Sequence, residues 1–319
     1  MTIERGNMIS VNRFQPMTLL KHIQSLLRHF PYTEMLALFI PIYAYAYKQQ
    51  VIDSPKSIIL LIPFIFAYAA GFTYNDIVDT KDDPLVKNNP LVRDEVNRSL
   101  AWRVLGTCMA ISAISFYLLF TGIAARITYL VYIFLCLAYS GLGIRFKESK
   151  SGPLIAAFII WIGGPLIVVL EFKLLGLVMI CLLLGSWMIY ISRETLHTID
   201  DYNNDLKSGY LTFSVLIGTE TARIVKNITF YIGTLCLCAG LCSHLIADSA
   251  KMPLILLWII LFLAFLVQFF ASLYKNDKQE RAAFWLVRLF FIAYSSFFLY
   301  VNQFQTAIIL WVFVTNKRS

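Results

Sequence analysis

Long apolar segments separated by short polar loops run along almost the whole chain. A helix of about 20 apolar residues is long enough to cross the ~30 Å hydrocarbon layer of a bilayer. We predict nine such helices, at residues 31–50, 57–77, 101–121, 125–142, 154–171, 174–196, 223–247, 252–274 and 284–302. The apolar tail at 303–319 is too short to span alone, so it extends the ninth helix, re-enters or lies in the interface. The pattern predicts an all-α, polytopic membrane bundle.

The composition agrees with this pattern. Of 319 residues, 59% are hydrophobic and 14% are charged, and the mean hydropathy of +0.69 exceeds what a soluble core needs. We predict a single membrane-embedded domain at 31–319, preceded by an N-terminal arm at 1–30. In MTLLKHIQSLLRHF, Leu and Ile recur at helical spacing between basic residues, so the arm either lies on the membrane surface or leads into the first helix.

The basic residues are distributed unevenly between the two sets of loops. If the spans alternate, the N-terminal arm and the loops after the second, fourth, sixth and eighth segments share one side, and most Lys and Arg residues lie there. Because Lys and Arg are enriched in cytoplasmic loops, we expect that side to be cytoplasmic. This orientation accounts for much of the net charge of +8 without a nucleic-acid partner.

A cluster of acidic residues directly follows the second apolar segment, in YNDIVDTKDD. Carboxylates at the edge of a membrane are costly, so such a cluster indicates a functional site. Asp76, Asp79 and Asp83 are spaced i, i+3 and i+7, which places them on one face of a helix. Asn75 is beside them, whereas Asp82 falls outside this spacing and is interpreted as a solvated neighbour.

A second acidic cluster follows the sixth apolar segment, in SRETLHTIDDYNNDLKSG. Asp201 and Asp205 are spaced i, i+4, and Glu194 reaches the same face in the preceding turns. One acidic loop is most simply a solvated surface, but two clusters with ordered spacing, on the same predicted side, favour a binding site. His197, one turn before Asp201, either contacts a phosphate or packs at the helix end.

Facing carboxylates repel each other unless a cation lies between them. Hard oxygen ligands suit Mg²⁺, which is typically shared between carboxylates and substrate phosphates. The sequence therefore predicts a Mg²⁺ site that binds a diphosphate. Basic residues on the same side would steady the diphosphate as a leaving group; these are Arg145 and Lys147 after the fourth segment and Lys207 after the second cluster.

Together these residues resemble the UbiA superfamily of intramembrane prenyltransferases. The first signature of that superfamily, N-D-x-x-D-x-x-x-D, is matched by Asn75, Asp76, Asp79 and Asp83. The second, D-x-x-D-x-x-x-D, is matched by Asp201 and Asp205, with Thr198 at the leading position. A Y-S pattern followed by basic residues is matched by Tyr139, Ser140, Arg145 and Lys147, and a G-x-x-T step by Gly209 and Thr212.

The resemblance implies a bundle of nine helices around a central cavity, with two Mg²⁺ ions that bridge the acidic motifs to the diphosphate of an isoprenoid donor. The implied metal ligands are Asn75, Asp76, Asp79, Asp83, Asp201 and Asp205. The implied catalytic residues are Asp76, Asp79, Asp201, Arg145, Lys147 and Tyr139, and further cofactor-binding contacts are Asn75, Lys87 and Lys207.

The implied reaction ionises an allylic diphosphate and transfers the prenyl group to an aromatic or other lipophilic acceptor. If the donor's own distal double bond captured the cation, the protein would be a terpene cyclase; prenyl transfer is favoured. Two positions depart from the superfamily pattern. Asn88 and Asn89 precede Pro90 where many members have Arg-Pro. Thr198 stands where the leading Asp is expected, and Glu194 and Asp200 are the conjectured replacements for that carboxylate.

A transporter is the alternative from a different class. Transporters that use membrane carboxylates to bind cations place ionisable residues near the bilayer midplane, beside broken helices. The carboxylates predicted here lie at helix ends instead, so transport is disfavoured.

Overall fold

The computed structural model describes residues 16–27, 39, 42, 45–46, 49–51, 59–81, 89–247, 251–274 and 277–298. Within these residues all regular structure is helical, which confirms the all-α prediction. The helices are α1 (Pro16–Leu26), α2 (Ile62–Val78), α3 (Arg98–Leu119), α4 (Ile123–Ser140), α5 (Gly152–Ala157), α6 (Gly163–Glu171), α7 (Leu177–Asp200), α8 (Tyr202–Ser208), α9 (Phe213–Ile217), α10 (Thr219–Ala247), α11 (Lys251–Leu273) and α12 (Asp277–Phe298). A π-helical turn, Phe158–Ile162, joins α5 to α6.

Six helical stretches in the described part are long and apolar enough to cross a membrane: α3, α4, the continuous run Gly152–Glu171, α7, α10 and α11. They correspond to six of the nine predicted segments. Most of the described part of the second segment lies in the 17-residue helix α2. Most of the first segment, the end of the ninth and the whole tail at 303–319 lie outside the described residues, so the count of nine stays a prediction.

Local sequence accounts for several helix boundaries. Asn97 caps α3, because its Oδ1 accepts hydrogen bonds from the backbone nitrogens of Ser99 (2.7 Å) and Leu100 (3.3 Å). Proline, whose fixed φ suits the first helical turn, lies at the start of α2 and α5. Helix α8 ends at Ser208 and is followed by Gly209, which adopts a left-handed conformation with φ of 75°.

Large apolar side chains are exposed on the outer faces of the long helices. Examples are Leu118 in α3, Leu130 in α4, Leu235 in α10 and Phe262 in α11. Exposed apolar surface of this extent would be a liability in water, but lipid tails solvate it. The protein is therefore an integral membrane protein, as its apolar pattern predicts.

Aromatic rings fill the bundle interior between α2, α4 and α6. The ring centroid of Phe64 lies 5.1 Å from that of Phe39, 5.7 Å from that of Phe120 and 6.4 Å from that of Tyr132, and all four rings are buried. Gly164 packs so closely against Phe39 that a Cβ there would overlap the ring. This contact holds α6 against the rings.

Helices α7 and α10 pack backbone to backbone. A Cβ added to Gly185 of α7 would lie 2.8 Å from the Gly233 carbonyl oxygen of α10, and one added to Gly233 would lie 2.7 Å from the Gly185 carbonyl oxygen. Small residues allow membrane helices to approach this closely, and the van der Waals contact stabilises the pair. The helix that carries the second acidic motif is therefore fixed against α10.

Polar contacts bind α12 to the rest of the bundle. Lys226 of α10 and Glu280 of α12 form an ion pair in which both side chains are buried. In addition, Arg281 of α12 lies 3.3 Å from the carboxylate of Asp200, at the end of α7. Helix α12 is thus tied to α10 by a buried pair and to the second motif by an exposed one.

The N-terminal arm contains a helix, α1, that contacts the loop before α3. The Ser25 hydroxyl donates a hydrogen bond to Glu95 (2.9 Å), and Leu26 is buried. The helix that the spacing of Leu and Ile in the arm predicts is present over Pro16–Leu26. The boundaries of the arm and the membrane domain stay predictions.

The glycine contact between α7 and α10 gives a test of the fold. We expect Gly185→Ala to lower the free energy of unfolding by roughly 1–3 kcal/mol, because its Cβ would overlap backbone that cannot move aside cheaply. Gly106→Ala in α3 is the matched control, since no atom lies within 4 Å of its added Cβ. Unfolding in detergent measures both. Equal stability of the two variants would contradict the close packing.

Candidate functional site

A polar cavity of about 220 Å³ lies where the ends of α2, α4 and α7 meet. Its wall is formed by side chains from these helix ends and from the loops that follow them. The lining residues are Asn75, Asp79, Tyr139, Lys147, Glu148, Gly152, Pro153, Glu194, His197, Thr198, Asp201, Asp205, Tyr210 and Thr212. Residues of both acidic motifs therefore face one cavity, although more than 100 residues separate them in sequence.

The first motif occupies the end of α2. Asn75 lines the cavity, and its Oδ1 accepts a hydrogen bond of 2.5 Å from the Ser140 hydroxyl at the end of α4. Asp79 caps α2 and also lines the cavity. Asp76 is buried and is not among the lining residues in the described part of the chain. Asp83 and Lys87 lie outside the described residues.

Asn89 fastens the segment after the first motif to α2. Its Nδ2 donates to the Asp76 carbonyl oxygen (3.0 Å), and its Oδ1 accepts from the Leu91 backbone nitrogen (3.0 Å). The carbonyls of the last helical turn have no partner within the helix, so Asn89 satisfies one of them. The departure at Asn89 thus has an observed role: a buried amide that contacts backbone.

Asp79 is the centre of an ion cluster. The Lys147 ammonium contacts Asp79 Oδ1, and the Arg145 guanidinium lies 3.7 Å from the same oxygen. Arg145 also pairs with Glu148 at 2.8 Å. The side chains of Asp79 and Lys147 are largely shielded from solvent, so their attraction is screened less than that of a surface pair.

A tight loop after α4 brings Lys147 to the cavity and Arg145 to Asp79, although Arg145 is not among the lining residues of the described chain. Leu142, Gly143 and Arg145 all adopt positive φ, of 54°, 75° and 49°. The left-handed conformation costs a residue other than glycine about 1–2 kcal/mol, so neighbouring contacts must hold it. One such contact is the Leu142 backbone nitrogen, which donates to the Tyr74 hydroxyl (3.3 Å). Tyr139, the last aromatic residue of α4, also lines the cavity.

The second motif forms one stripe along α7 and α8. Glu194, Thr198, Asp201 and Asp205 all line the cavity. The Thr198 hydroxyl donates to the Thr195 carbonyl within its own helix (2.9 Å), so Thr198 adds no charge to the cavity. Glu194 lies two helical turns before Asp201, about 10 Å along the helix axis, and is therefore at another depth.

The two conjectured replacements for a carboxylate at Thr198 have different surroundings. Glu194 is buried, lines the cavity and pairs with the adjacent Arg193 at 2.8 Å. Asp200 is not among the lining residues of the described chain and instead pairs with Arg281. Glu194 therefore contributes negative charge to the cavity, but from two turns away along the helix from Asp201.

The loop after α8 returns to the second motif. Thr212 donates a hydrogen bond from its hydroxyl to Asp205 Oδ2 (2.9 Å), and Asp205 is buried. The left-handed Gly209 allows this return, which gives the G-x-x-T step a structural role. His197 Nδ1 lies 3.3 Å from Asp201 Oδ2, so His197 contacts the motif and lines the cavity.

Three residues show where sequence reasoning and geometry differ. Lys207 is exposed on α8 and is not among the lining residues of the described chain, so its contact with a donor stays a prediction. Tyr210 and Glu148 line the cavity but are absent from the predicted site. The sequence signal for Tyr210 was its position between Gly209 and Thr212, inside a matched motif.

The donor set of the cavity suits a hard divalent cation. It offers the amide oxygen of Asn75 and the carboxylates of Asp79, Glu194, Asp201 and Asp205. Among the described residues, however, no three acidic, His or Cys side chains converge closely enough to hold a metal ion by themselves. A cation here would take its remaining ligands from water or from an anionic ligand, which is typical of Mg²⁺ sites that bind phosphates.

Fold and site together define a polytopic helical membrane protein with an acidic cavity at its helix ends. Residues 36–302 match the UbiA prenyltransferase family, so the chain belongs to that family. The resemblance seen in the sequence is therefore confirmed. A comparison with curated proteins found no significant match.

Solved structures of the same fold are similar over most of the chain. A digeranylgeranylglyceryl phosphate synthase has a TM-score of 0.66 and 17% identity, covering 87% of this chain and 97% of its own. A UbiA homologue from Archaeoglobus fulgidus bound to GPP and Mg²⁺ has a TM-score of 0.65 and 16% identity, covering 88% and 100%. A UbiA homologue from Aeropyrum pernix K1 has a TM-score of 0.59 and 15% identity, covering 82% and 95%.

The Thr212 hydrogen bond gives a test of the site geometry. We expect Thr212→Val to lower the free energy of unfolding by roughly 1–3 kcal/mol, because a buried carboxylate loses a donor. Thr212→Ser keeps the hydroxyl and should retain most of the stability. Thermal unfolding in detergent measures both variants. The hydrogen bond would have no energetic role if valine proved as stable as serine.

Proposed function

We propose that this member of the UbiA family is a Mg²⁺-dependent intramembrane prenyltransferase that ionises an allylic isoprenyl diphosphate and transfers the prenyl group to a lipophilic acceptor. The observation that carries the proposal is the single cavity lined by both acidic motifs and by Lys147. Support also comes from the similar fold of Archaeoglobus fulgidus UbiA homologue structures that contain GPP and Mg²⁺ or DMAPP and Mg²⁺.

The two motifs are the proposed metal-binding residues. Asn75, Asp76, Asp79 and Asp83 from the first motif, with Asp201 and Asp205 from the second, would hold two Mg²⁺ ions. When bound, Mg²⁺ supplies positive charge that offsets the negative charge developing on the leaving diphosphate. The second motif contributes two carboxylates rather than three, because Thr198 stands at the leading position.

Basic residues of this chain are proposed to bind the diphosphate directly. Lys147 and Arg145 lie beside Asp79, at the place where a metal-bound diphosphate would be held. Hydrogen bonds from cations to phosphate oxygens are strong, and they strengthen as the allylic C–O bond breaks and charge moves to the leaving group. Lys87 and Lys207 are proposed as further contacts to the donor.

The allylic cation needs a dry, electron-rich surrounding until the acceptor captures it. Tyr139 is the proposed aromatic residue for this role, because its side chain lines the cavity at the end of a membrane helix. The acceptor loses a proton as the new bond forms, and the released diphosphate can take it. The proposed orientation has this end of the bundle on the cytoplasmic side, because the basic arm and loops are predicted there.

Isosteric substitutions in the two motifs test the proposal. We expect Asp79→Asn and Asp201→Asn to lower kcat at least about 100-fold, because each weakens binding of the Mg²⁺ whose positive charge stabilises the leaving diphosphate. Asp200→Asn is the matched control, since Asp200 pairs with Arg281 and does not line the cavity. It should change kcat less than about threefold. If Asp79→Asn and Asp201→Asn retained full turnover, the metal-diphosphate proposal would be wrong.

The product distinguishes prenyl transfer from cyclisation. The purified protein is incubated with Mg²⁺ and allylic diphosphates of increasing length, with and without extracted membrane lipids, and the products are identified by mass spectrometry. Prenyl transfer predicts a product whose mass is the sum of an acceptor and the prenyl group, less one hydrogen, and only when lipids are present. Release of a hydrocarbon without lipids, at a rate that sustains turnover, would favour the terpene cyclase instead.

Binding of metal and diphosphate should be coupled through Lys147. Because Lys147 contacts Asp79, a metal ion alone must displace the ammonium, whereas a diphosphate offers Lys147 a new partner. We expect Mn²⁺ to bind roughly tenfold more tightly when pyrophosphate is present, as measured by electron paramagnetic resonance. In Lys147→Met, Mn²⁺ alone should bind more tightly and pyrophosphate more weakly.

Lys150→Met is the control for this measurement, because Lys150 is exposed and is not among the lining residues of the described chain. It should leave both affinities unchanged. If Lys147→Met also left both affinities unchanged, Lys147 would not control access to Asp79.

A further inference from the structure

Tyr210 joins the basic side of the cavity to the second acidic motif. Its side chain lines the cavity, and its ring centroid lies 5.8 Å from the guanidinium carbon of Arg145 and 5.7 Å from Lys147 Nζ. Both distances are within the range of about 6 Å at which a cation is attracted to an aromatic face. One ring therefore contacts the two cations that surround Asp79.

The ring is held in place from the opposite side of the cavity. Tyr210 donates a backbone hydrogen bond to the Asp205 carbonyl oxygen (2.9 Å), and Gly209 before it provides the left-handed turn. Two residues later, Thr212 donates to the Asp205 side chain. Arg145 and Lys147 belong instead to the loop between α4 and α5. The contact thus connects two parts of the chain that are far apart in sequence.

A carboxylate and an aromatic ring differ in how much of a cation's charge they leave available to an anionic ligand. Asp79 attracts Lys147 strongly but neutralises it, and Asp79 is also a proposed metal ligand. The ring of Tyr210 attracts the same ammonium through its quadrupole and carries no net charge. A cation held by the ring keeps its full charge for an anionic ligand.

We propose that Tyr210 is a positioning residue for the donor's diphosphate, because its ring keeps the Lys147 ammonium at the cavity wall, and the Arg145 guanidinium beside it, when Asp79 binds a metal ion instead. This inference rests on the proposed function. In the described part of the chain, the Lys147 side chain pairs with Asp79 and contacts the Tyr210 ring. Once Asp79 binds a metal ion, the ring remains as a contact among the described residues that confines the ammonium before the diphosphate arrives.

The contact also predicts which property of Tyr210 matters. The aromatic face, not the hydroxyl, attracts the cations. Phe and Trp should therefore replace Tyr210 in this role, and an aliphatic residue of similar bulk should not. Tyr210 is only partly buried and lies in a loop, so these substitutions are compatible with folding.

The test is calorimetric titration of the full chain in detergent with inorganic pyrophosphate in the presence of Mg²⁺. We expect Tyr210→Leu to raise the Kd for pyrophosphate about tenfold, because two cation–π contacts are lost. Tyr210→Phe and Tyr210→Trp should stay within about twofold of the unsubstituted protein. Tyr117→Leu is the matched control: it removes a cation–π contact of 5.0 Å with Arg126, and neither residue lines the cavity in the described chain.

A double-mutant cycle separates positioning from general loosening of the loop. In the Lys147→Met background one of the two cations is absent, so the loss caused by Tyr210→Leu should fall from about tenfold to about threefold. A structural role would give the same loss in both backgrounds. An equal loss therefore overturns the inference, and so does a Phe variant that binds as weakly as the Leu variant.

The outcomes also separate this inference from the proposed function. If the unsubstituted protein binds pyrophosphate with Mg²⁺ and Asp201→Asn weakens that binding, the diphosphate site is supported. Tyr210→Leu with unchanged Kd would then overturn the role of Tyr210 alone. Absence of any pyrophosphate binding in the unsubstituted protein would overturn both.

Discussion

The Asp79 carboxylate is held at the end of α2 by the Lys147 ammonium, with the Arg145 guanidinium 3.7 Å from the same oxygen. A carboxylate beside an apolar bundle has to be paired, because desolvation without a partner is costly. This requirement brings the loop after α4 back over the end of α2. The hydrogen bond from Ser140 to Asn75 and the left-handed turn at Arg145 both belong to that return. The arrangement of the cavity depends on this one pairing.

Much of the fold could be predicted because the membrane imposes a simple rule on sequence. Backbone polar groups must be satisfied inside the segment, so apolar runs of the right length are helices. Acidic residues at the ends of such runs are costly, so both motifs could be recognised in the sequence. Their regular spacing indicated which side chains share a face. Asn75, Asp79, Asp201 and Asp205 indeed line one cavity. Pairing of α7 with α10 through Gly185 and Gly233 was not predictable, because isolated glycines in apolar runs do not reveal their partners.

The rest of the site depends on loop geometry that periodicity does not encode. Tyr210 and Glu148 reach the cavity through turns after α8 and α4, where backbone conformations change residue by residue. Side-chain partners also matter. The Thr198 hydroxyl donates a hydrogen bond to the backbone of its own helix, and Asp200 pairs with Arg281 outside the cavity. Sequence spacing could not decide whether Asp200 or Glu194 contributes negative charge to the cavity. Their different neighbours in the folded chain do so.

The buried pair of Lys226 and Glu280 also bears on how the protein is made. Lys226 belongs to α10, whereas Glu280 belongs to α12 and is synthesised later. Until α12 is synthesised, Lys226 cannot form this pair, and losing one partner of a buried ion pair costs about 3–5 kcal/mol. Helix α12 lines none of the cavity in the described chain, yet it secures the helix against which the second motif packs. Both acidic motifs precede α12 in the chain, so this buried pair can form only after both motifs have been synthesised.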